Sequence, residues 1–373
     1  MNVLQSLLEQ GQSIWYDFIS RDFIANGTMQ NLVDKGLRGM TSNPTIFEKS
    51  IAGGNAYDDQ IRELGTQGLS TADIATKLFV TDIRNACDVM MPVYRDSGGA
   101  DGFISLEVNP RFAARTEETL AEARQLWKEI DRPNLMIKIP ATPEGLPAVQ
   151  RCIAEGINVN ITLMFSMEQY RTVAEAYIAG LEERMNAGGD ISSVSSVASV
   201  FVSRIDSMID GMLEKNGTPE AMALCGRAGL ANSRLIYREF TRIFSGDRWE
   251  KLAARGARPQ RPLWASTSTK NPSYPDLLYV DNLIGPNTVN TVPPETLEAI
   301  FDHARVAQTI GEDIPAAEQT MRDLAAAGID LDKVMATLLE EGVTKFEQSF
   351  DTLFQKLDAK RAALMGTTAD QEA

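Results

Sequence analysis

Histidine is almost absent from this 373-residue chain: there is one, His303. A histidine-rich metal site is therefore excluded, and so is any nucleophile that needs more than one imidazole beside it. Cysteine is scarce as well. Cys87, Cys152 and Cys225 are odd in number and far apart. Cys87 and Cys152 fall in helical patterns, so buried thiols in a reducing cytoplasm are expected rather than a disulfide framework. Basic charge is in deficit, 36 Lys and Arg against 51 Asp and Glu, a net charge of −15. That argues against nucleic acid or an anionic membrane as a partner, and an anionic substrate would need a local basic pocket. No apolar run approaches ~18 residues, so no membrane-spanning helix is expected. The first residues, Met1 to Gln12, lack a basic segment followed by an apolar one, and no secretory signal is read there. Neither G-x-G-x-x-G nor G-x-x-x-x-G-K-[ST] occurs, which leaves dinucleotide and P-loop sites unindicated.

What is present is a strand-like stretch with an odd member, Leu135-Met136-Ile137-Lys138-Ile139-Pro140-Ala141. Pro140 and Pro143 stop a helix from running through it. Alternation puts Ile137 and Ile139 on one face and Met136 and Lys138 on the other. Burial disfavours a charged ammonium, and a neutral, positioned amine can attack a ketone and form a Schiff base. Taken alone, the stretch is better read as a lysine that snorkels to solvent or pairs with a carboxylate.

The rest of the chain changes that weighing. Strands are expected at Ile14–Ile19, Leu37–Ser42, Phe103–Val108, around Lys138, at Ile157–Phe165, Val194–Val202 and Pro262–Thr267, with a weaker eighth at Leu278–Ile284. Helices alternate with them, among them Thr71–Arg95, one capped by Thr116, one from a Ser166/Gln169 capping box, one from Thr218 to about Phe244, and a last long helix or pair of helices over Leu331–Leu364. No long linker or repeat interrupts the alternation. The pattern predicts an α/β (β/α)8 TIM barrel in a single domain over 1–373, with an open doubly wound sheet as runner-up. The barrel is expected over about 13–325, a C-terminal helical extension packed on it over about 328–366, and a disordered tail over 367–373. Asp17, Asn43, Glu107, Lys138, Asn160, Thr162, Ser199 and Arg204 all fall in or just after predicted strands. In a barrel, strand carboxyl ends meet at one mouth, where chemistry sits. One or two inward polar residues would be unremarkable, but eight on six strands, including one amine and two carboxylates, are better explained as a site.

At this point the chain resembles the transaldolases, in the longer bacterial type. The resemblance rests on GLRGMTSNPTIFEK (36–49), LMIKIPA (135–141), GINVNITLMFS (156–166), Ser199-Val200-Phe201-Val202-Ser203-Arg204, and the carboxylate strands holding Asp17 and Glu107. The matches run in family order from about residue 13 to 290. The resemblance implies a class I aldolase-type barrel with no metal and no organic cofactor. It also implies transfer of a dihydroxyacetone unit from sedoheptulose 7-phosphate or fructose 6-phosphate to glyceraldehyde 3-phosphate or erythrose 4-phosphate, in the non-oxidative pentose phosphate pathway. Lys138 would be the Schiff-base lysine, Asp17 the base at the C4 hydroxyl, and Glu107 with Thr162 and a water the proton shuttle. Asn43 and Asn160 would hold the three-carbon unit, and Ser199 and Arg204 the phosphate.

Structural readings stand beside these. Asp17 and Glu107 could be mere partners of Lys138, Asn43-Pro44 a turn, and Arg204 a partner of Asp206 or Asp210. Lys270, in the polar loop after strand seven, is a second phosphate contact or a plain surface lysine. Rival functions are a fructose-6-phosphate aldolase-like enzyme that releases free dihydroxyacetone, and a non-covalent sugar-phosphate-binding barrel. Sugar phosphates are the expected partners, in a cytoplasmic monomer or homodimer.

Overall fold

Alternation along the strands decides which side chains meet at the axis of this molecule. The computed structural model describes residues 2–366, and the tail expected over 367–373 lies outside them. Eight parallel strands close into a barrel in sequence order: β1 (Gln12–Tyr16), β2 (Gly39–Thr41), β3 (Phe103–Glu107), β4 (Leu135–Pro140), β5 (Val159–Met164), β6 (Ser196–Phe201), β7 (Arg261–Ala265) and β8 (Thr288–Val292). β8 pairs with β1, Ser13 opposite Val289, and this closes the ring. Ile104, Leu106, Ile137, Ile139, Val159, Ile161, Val200 and Trp264 face outward into the helix layer. Trp15, Phe103, Met136, Val197, Leu263 and Val289 fill the inside. The barrel is therefore a packed core; one polar set closes its amino-terminal end, where Ser13 donates to Asp101 and Arg261 donates to both, and another lines the carboxyl-terminal mouth.

Most expected elements are found, with four corrections. The apolar run Leu278–Ile284 is not a strand. Leu278–Asn282 is a short helix, and the eighth strand is Thr288–Val292. Thr-Val-Asn-Thr-Val reads as polar, yet all five residues are buried because the ladders to β1 and β7 enclose them. The helix expected from Thr218 to Phe244 is two, Pro219–Met222 and Ala228–Ile243. Gly226 separates them at φ 72, a left-handed turn that an α-helix does not contain. Thr116 is the first residue of its helix rather than the cap, and its hydroxyl donates to the Glu144 carbonyl at 2.6 Å. Finally, β5 breaks its alternation. Its register to β6 shifts between Ile161 and Met164, and Leu163 takes φ 58. Leu163 thereby leaves the outward face of Val159 and Ile161, where strict alternation would put it, and joins the inner cluster.

The Ser166/Gln169 capping box forms as expected. The last helix, Leu331–Met365, lies across the barrel and buries Leu338, Phe346, Phe350, Leu353 and Leu357. Ion pairs from Lys356 to Glu48 and from Lys360 to Asp58 fix its far half. Cys87 and Cys152 are buried free thiols, pushed to high pKa by burial. His303 ends a helix on the surface between Asp276 and Asp302. Among the described residues no helix is long and apolar enough to cross a membrane.

Candidate active site

Register brings the strand-borne polar groups together. Glu107 of β3 stands opposite Lys138 of β4, and Lys138 stands opposite Asn160 of β5. Lys138 is 5% exposed. Its Nζ donates to the Ser42 carbonyl at 3.2 Å and lies 3.3 Å from Glu107 Oε2. The reading of Lys138 as a carboxylate partner is thus met by geometry. Glu107 has no other polar partner, however: among the described residues neither of its buried oxygens accepts a hydrogen bond. Burial pushes the Glu107 pKa up, against the pull of Lys138.

Asp17 lies just past the end of β1 rather than within the strand. Its Oδ1 accepts from the Thr41 hydroxyl at 2.6 Å, and Thr41 is 2.7 Å from the Thr291 hydroxyl. Burial raises the Asp17 pKa, with Lys138 and the Thr41 hydrogen bond opposing. The two carboxylates therefore share one amine, and both are held above the ordinary carboxylate range.

A cavity of about 200 Å3 opens at this mouth. Asp17, Asn43, Lys138, Thr162, Ser199, Arg204 and Lys270 line it. Glu107 does not; it sits behind Lys138. Asn160 is wholly buried beneath the cavity, its amide donating to Ser105 Oγ at 3.0 Å and its carbonyl oxygen accepting from Ser199 Oγ at 2.7 Å. The Thr162 hydroxyl is buried with no hydrogen-bond partner among the described residues.

Asn43 is both turn and wall. Its side chain accepts from Ile46 N at 3.0 Å and caps the helix Pro44–Ala52, with Pro44 in the first turn. The same residue lines the cavity wall, and the cap holds its side chain there.

Arg204 occupies the first turn of the helix Val202–Asn216. It pairs with neither Asp206 nor Asp210. Asp206 accepts from Tyr279 Oη and Gly229 N, and Asp210 from Tyr274 Oη and Gly226 N. The Arg204 guanidinium instead lies 4.9 Å over the Phe201 ring. Its Nη1 is buried without a hydrogen-bond partner among the described residues. Burial pulls the Arg204 pKa down, and Glu107 and Glu341 pull it back up. Lys270 is exposed at the rim, donating to Ser268 Oγ at 2.6 Å.

Thr41, Phe201, Ser266, Thr291 and Phe346 also line the cavity, and none was expected as a site residue. Thr41 lies within the Thr-Ser-Asn-Pro segment, and Phe201 between Ser199 and Arg204, so proximity in sequence was the available signal. For Phe346, far along the chain from every expected site residue, no local signal existed.

A closed parallel barrel with an amine, two carboxylates and a guanidinium at the carboxyl ends of its strands defines a (β/α)8 enzyme. A family model described as Transaldolase/Fructose-6-phosphate aldolase matches residues 14–357. The transaldolase of Frankia alni is 49% identical over 354 residues, 94% of this chain and 95% of that protein. That of a Parafrankia species is 50% identical, covering 95% and 96%, and that of Thermobifida fusca 48%, covering 96% and 98%. The chain belongs to the transaldolase/fructose-6-phosphate aldolase family.

Proposed function

We propose that this enzyme is a transaldolase that carries a dihydroxyacetone unit from a ketose phosphate to an aldose phosphate as a Schiff base on Lys138. The observation that carries the reading is the placement of one nearly buried amine on the cavity wall, with Glu107 behind it and Asp17 on the same wall. Attack of Nζ on the donor's C2 carbonyl and loss of water give an iminium. The iminium accepts the electron pair of the C3–C4 bond when that bond breaks, leaving an enamine.

Asp17, held by Thr41, takes the C4 hydroxyl proton and returns it to the acceptor's carbonyl oxygen. Its raised pKa suits a group that must hold that proton between the two steps. Glu107, whose carboxylate has Lys138 beside it, and Thr162, whose hydroxyl has no hydrogen-bond partner among the described residues, move protons during carbinolamine formation and dehydration. Asn43 binds donor hydroxyls. Asn160 acts from below, fixing Ser199 through its hydrogen bond. The guanidinium of Arg204 binds the phosphate with Ser199, and Lys270 adds charge at the rim. Sugar phosphates are then bound by local positive charge in an acidic chain.

Fructose 6-phosphate with borohydride should fix a reduced three-carbon fragment on the peptide containing Lys138. Lys138→Ala should abolish both the adduct and turnover. No wild-type adduct would favour a non-covalent sugar-phosphate barrel. Equal consumption of fructose 6-phosphate with and without erythrose 4-phosphate would favour an aldolase that releases dihydroxyacetone.

A further inference from the structure

The last helix enters the cavity through one side chain, Phe346. Its ring centroid lies 5.5 Å from Lys138 Nζ and 6.0 Å from Arg204 Cζ. Two local features bring the helix this close. β5 turns Leu163 out of alternation at φ 58. Opposite it the helix carries Gly342, where a Cβ would come within 2.8 Å of Leu163 Cδ2 and 3.5 Å of Arg204 Nη1. Gly342 and Phe346 are four residues apart and share a helix face. The contact that seats the helix is thus one turn from the ring that reaches the amine.

We propose that Phe346 is a specificity-determining residue that keeps the carbon nucleophile on Lys138 away from water, so that it waits for an aldehyde. The proposal rests on the Schiff-base reading above. After C3–C4 cleavage, the pair from that bond resides in the enamine, with C3 as the nucleophilic carbon. In transfer, the pair forms a bond to the acceptor's aldehyde carbon, and the aldehyde oxygen takes the proton held by Asp17. In release, the pair takes a proton at C3 from water. Water then adds at C2 of the iminium, and the adduct collapses to dihydroxyacetone and the free amine. C3 is two bonds from Nζ, so the Phe346 ring stands beside it. A phenyl ring has no proton to give and fills the space through which water would approach. Its π face also favours the cationic iminium over the free carbonyl compound.

The test is the ratio of free dihydroxyacetone to sedoheptulose 7-phosphate formed from fructose 6-phosphate and erythrose 4-phosphate. Phe346→Ala should raise that ratio at least tenfold, and Phe346→Leu by a smaller factor, with borohydride still labelling Lys138 in both. An unchanged ratio with labelling intact would overturn the proposal, including the case where both rates fall together as they would for a merely structural residue. If Phe346→Ala does not fold, as judged by circular dichroism, Phe346→Leu decides. Absence of an adduct in the wild-type chain would overturn the Schiff-base reading, and this proposal with it.

Discussion

Arg204 shows how a single residue's surroundings narrow its role. A guanidinium that is largely buried, stacked on Phe201, and left with one nitrogen lacking a hydrogen-bond partner among the described residues is costly to hold unless a ligand completes it. Asp206 and Asp210, the nearest candidates in sequence, are occupied by tyrosine hydroxyls and backbone amides. Arg204→Ala should therefore raise the KM for fructose 6-phosphate by about tenfold or more, the size of a lost charge-assisted hydrogen bond. Trapping of unphosphorylated dihydroxyacetone on Lys138 should change far less, and equal losses for both would remove Arg204 from phosphate binding. Lys138, Glu107 and Asp17 stood out in the sequence because a charge within or directly after an apolar strand is expensive and needs a reason. Thr41 and Thr291 were not. A threonine is at home in any strand, and only the register across β1, β2 and β8 shows that the two hydroxyls brace Asp17.

Between elements, the loop after β7 is fastened to the helix that carries Arg204. Tyr274 Oη donates to Asp210 Oδ2 and Tyr279 Oη to Asp206 Oδ2, each at 2.7 Å. The loop so held includes Ser268 and Lys270. Tyr274→Phe removes one fastening without touching the cavity. It should raise KM for fructose 6-phosphate about two- to fivefold while leaving kcat nearly unchanged; a fall in kcat alone would show that the loop does not serve phosphate binding. Alternation and 3.6-residue periodicity sufficed to read seven strands and most helices. They failed at β8, where the apolar run belonged to a helix and the strand was written in threonine and asparagine. Burial there comes from neighbouring strands rather than from composition. They failed again at Leu163, since a one-residue irregularity reverses the facing of a side chain without altering the pattern of letters.

For the whole molecule, buried carboxylates set the response to pH. Burial raises Asp206 to about 6 and Glu122 to about 7. Each binds a proton more tightly in the folded chain than in the unfolded one. The folded state gains below those values, and the gain is lost as pH rises through them. Exposed His303, raised by its hydrogen bonds to Asp276 and Asp302, acts in the same direction. Glu239, lowered to about 2 by hydrogen bonds from Arg242 and Arg171, works in the opposite sense but only on the acid side of the ordinary carboxylate range. The melting temperature should therefore be higher at pH 6 than at pH 8, by about 2 °C or more. The double variant Asp206→Asn, Glu122→Gln should flatten that difference; a wild-type melting temperature that fell on going from pH 8 to pH 6 would contradict the assignment.

Because Phe346 belongs to the last helix, all eight strands leave the ribosome before it does. A nascent chain that has emerged as far as Ile329 already contains the amine, both carboxylates and the guanidinium, but not the ring that stands over the amine and the guanidinium. Completion of the pocket is thus deferred to the final stretch of translation, and a chain stopped short of that helix would carry Lys138 without its cover.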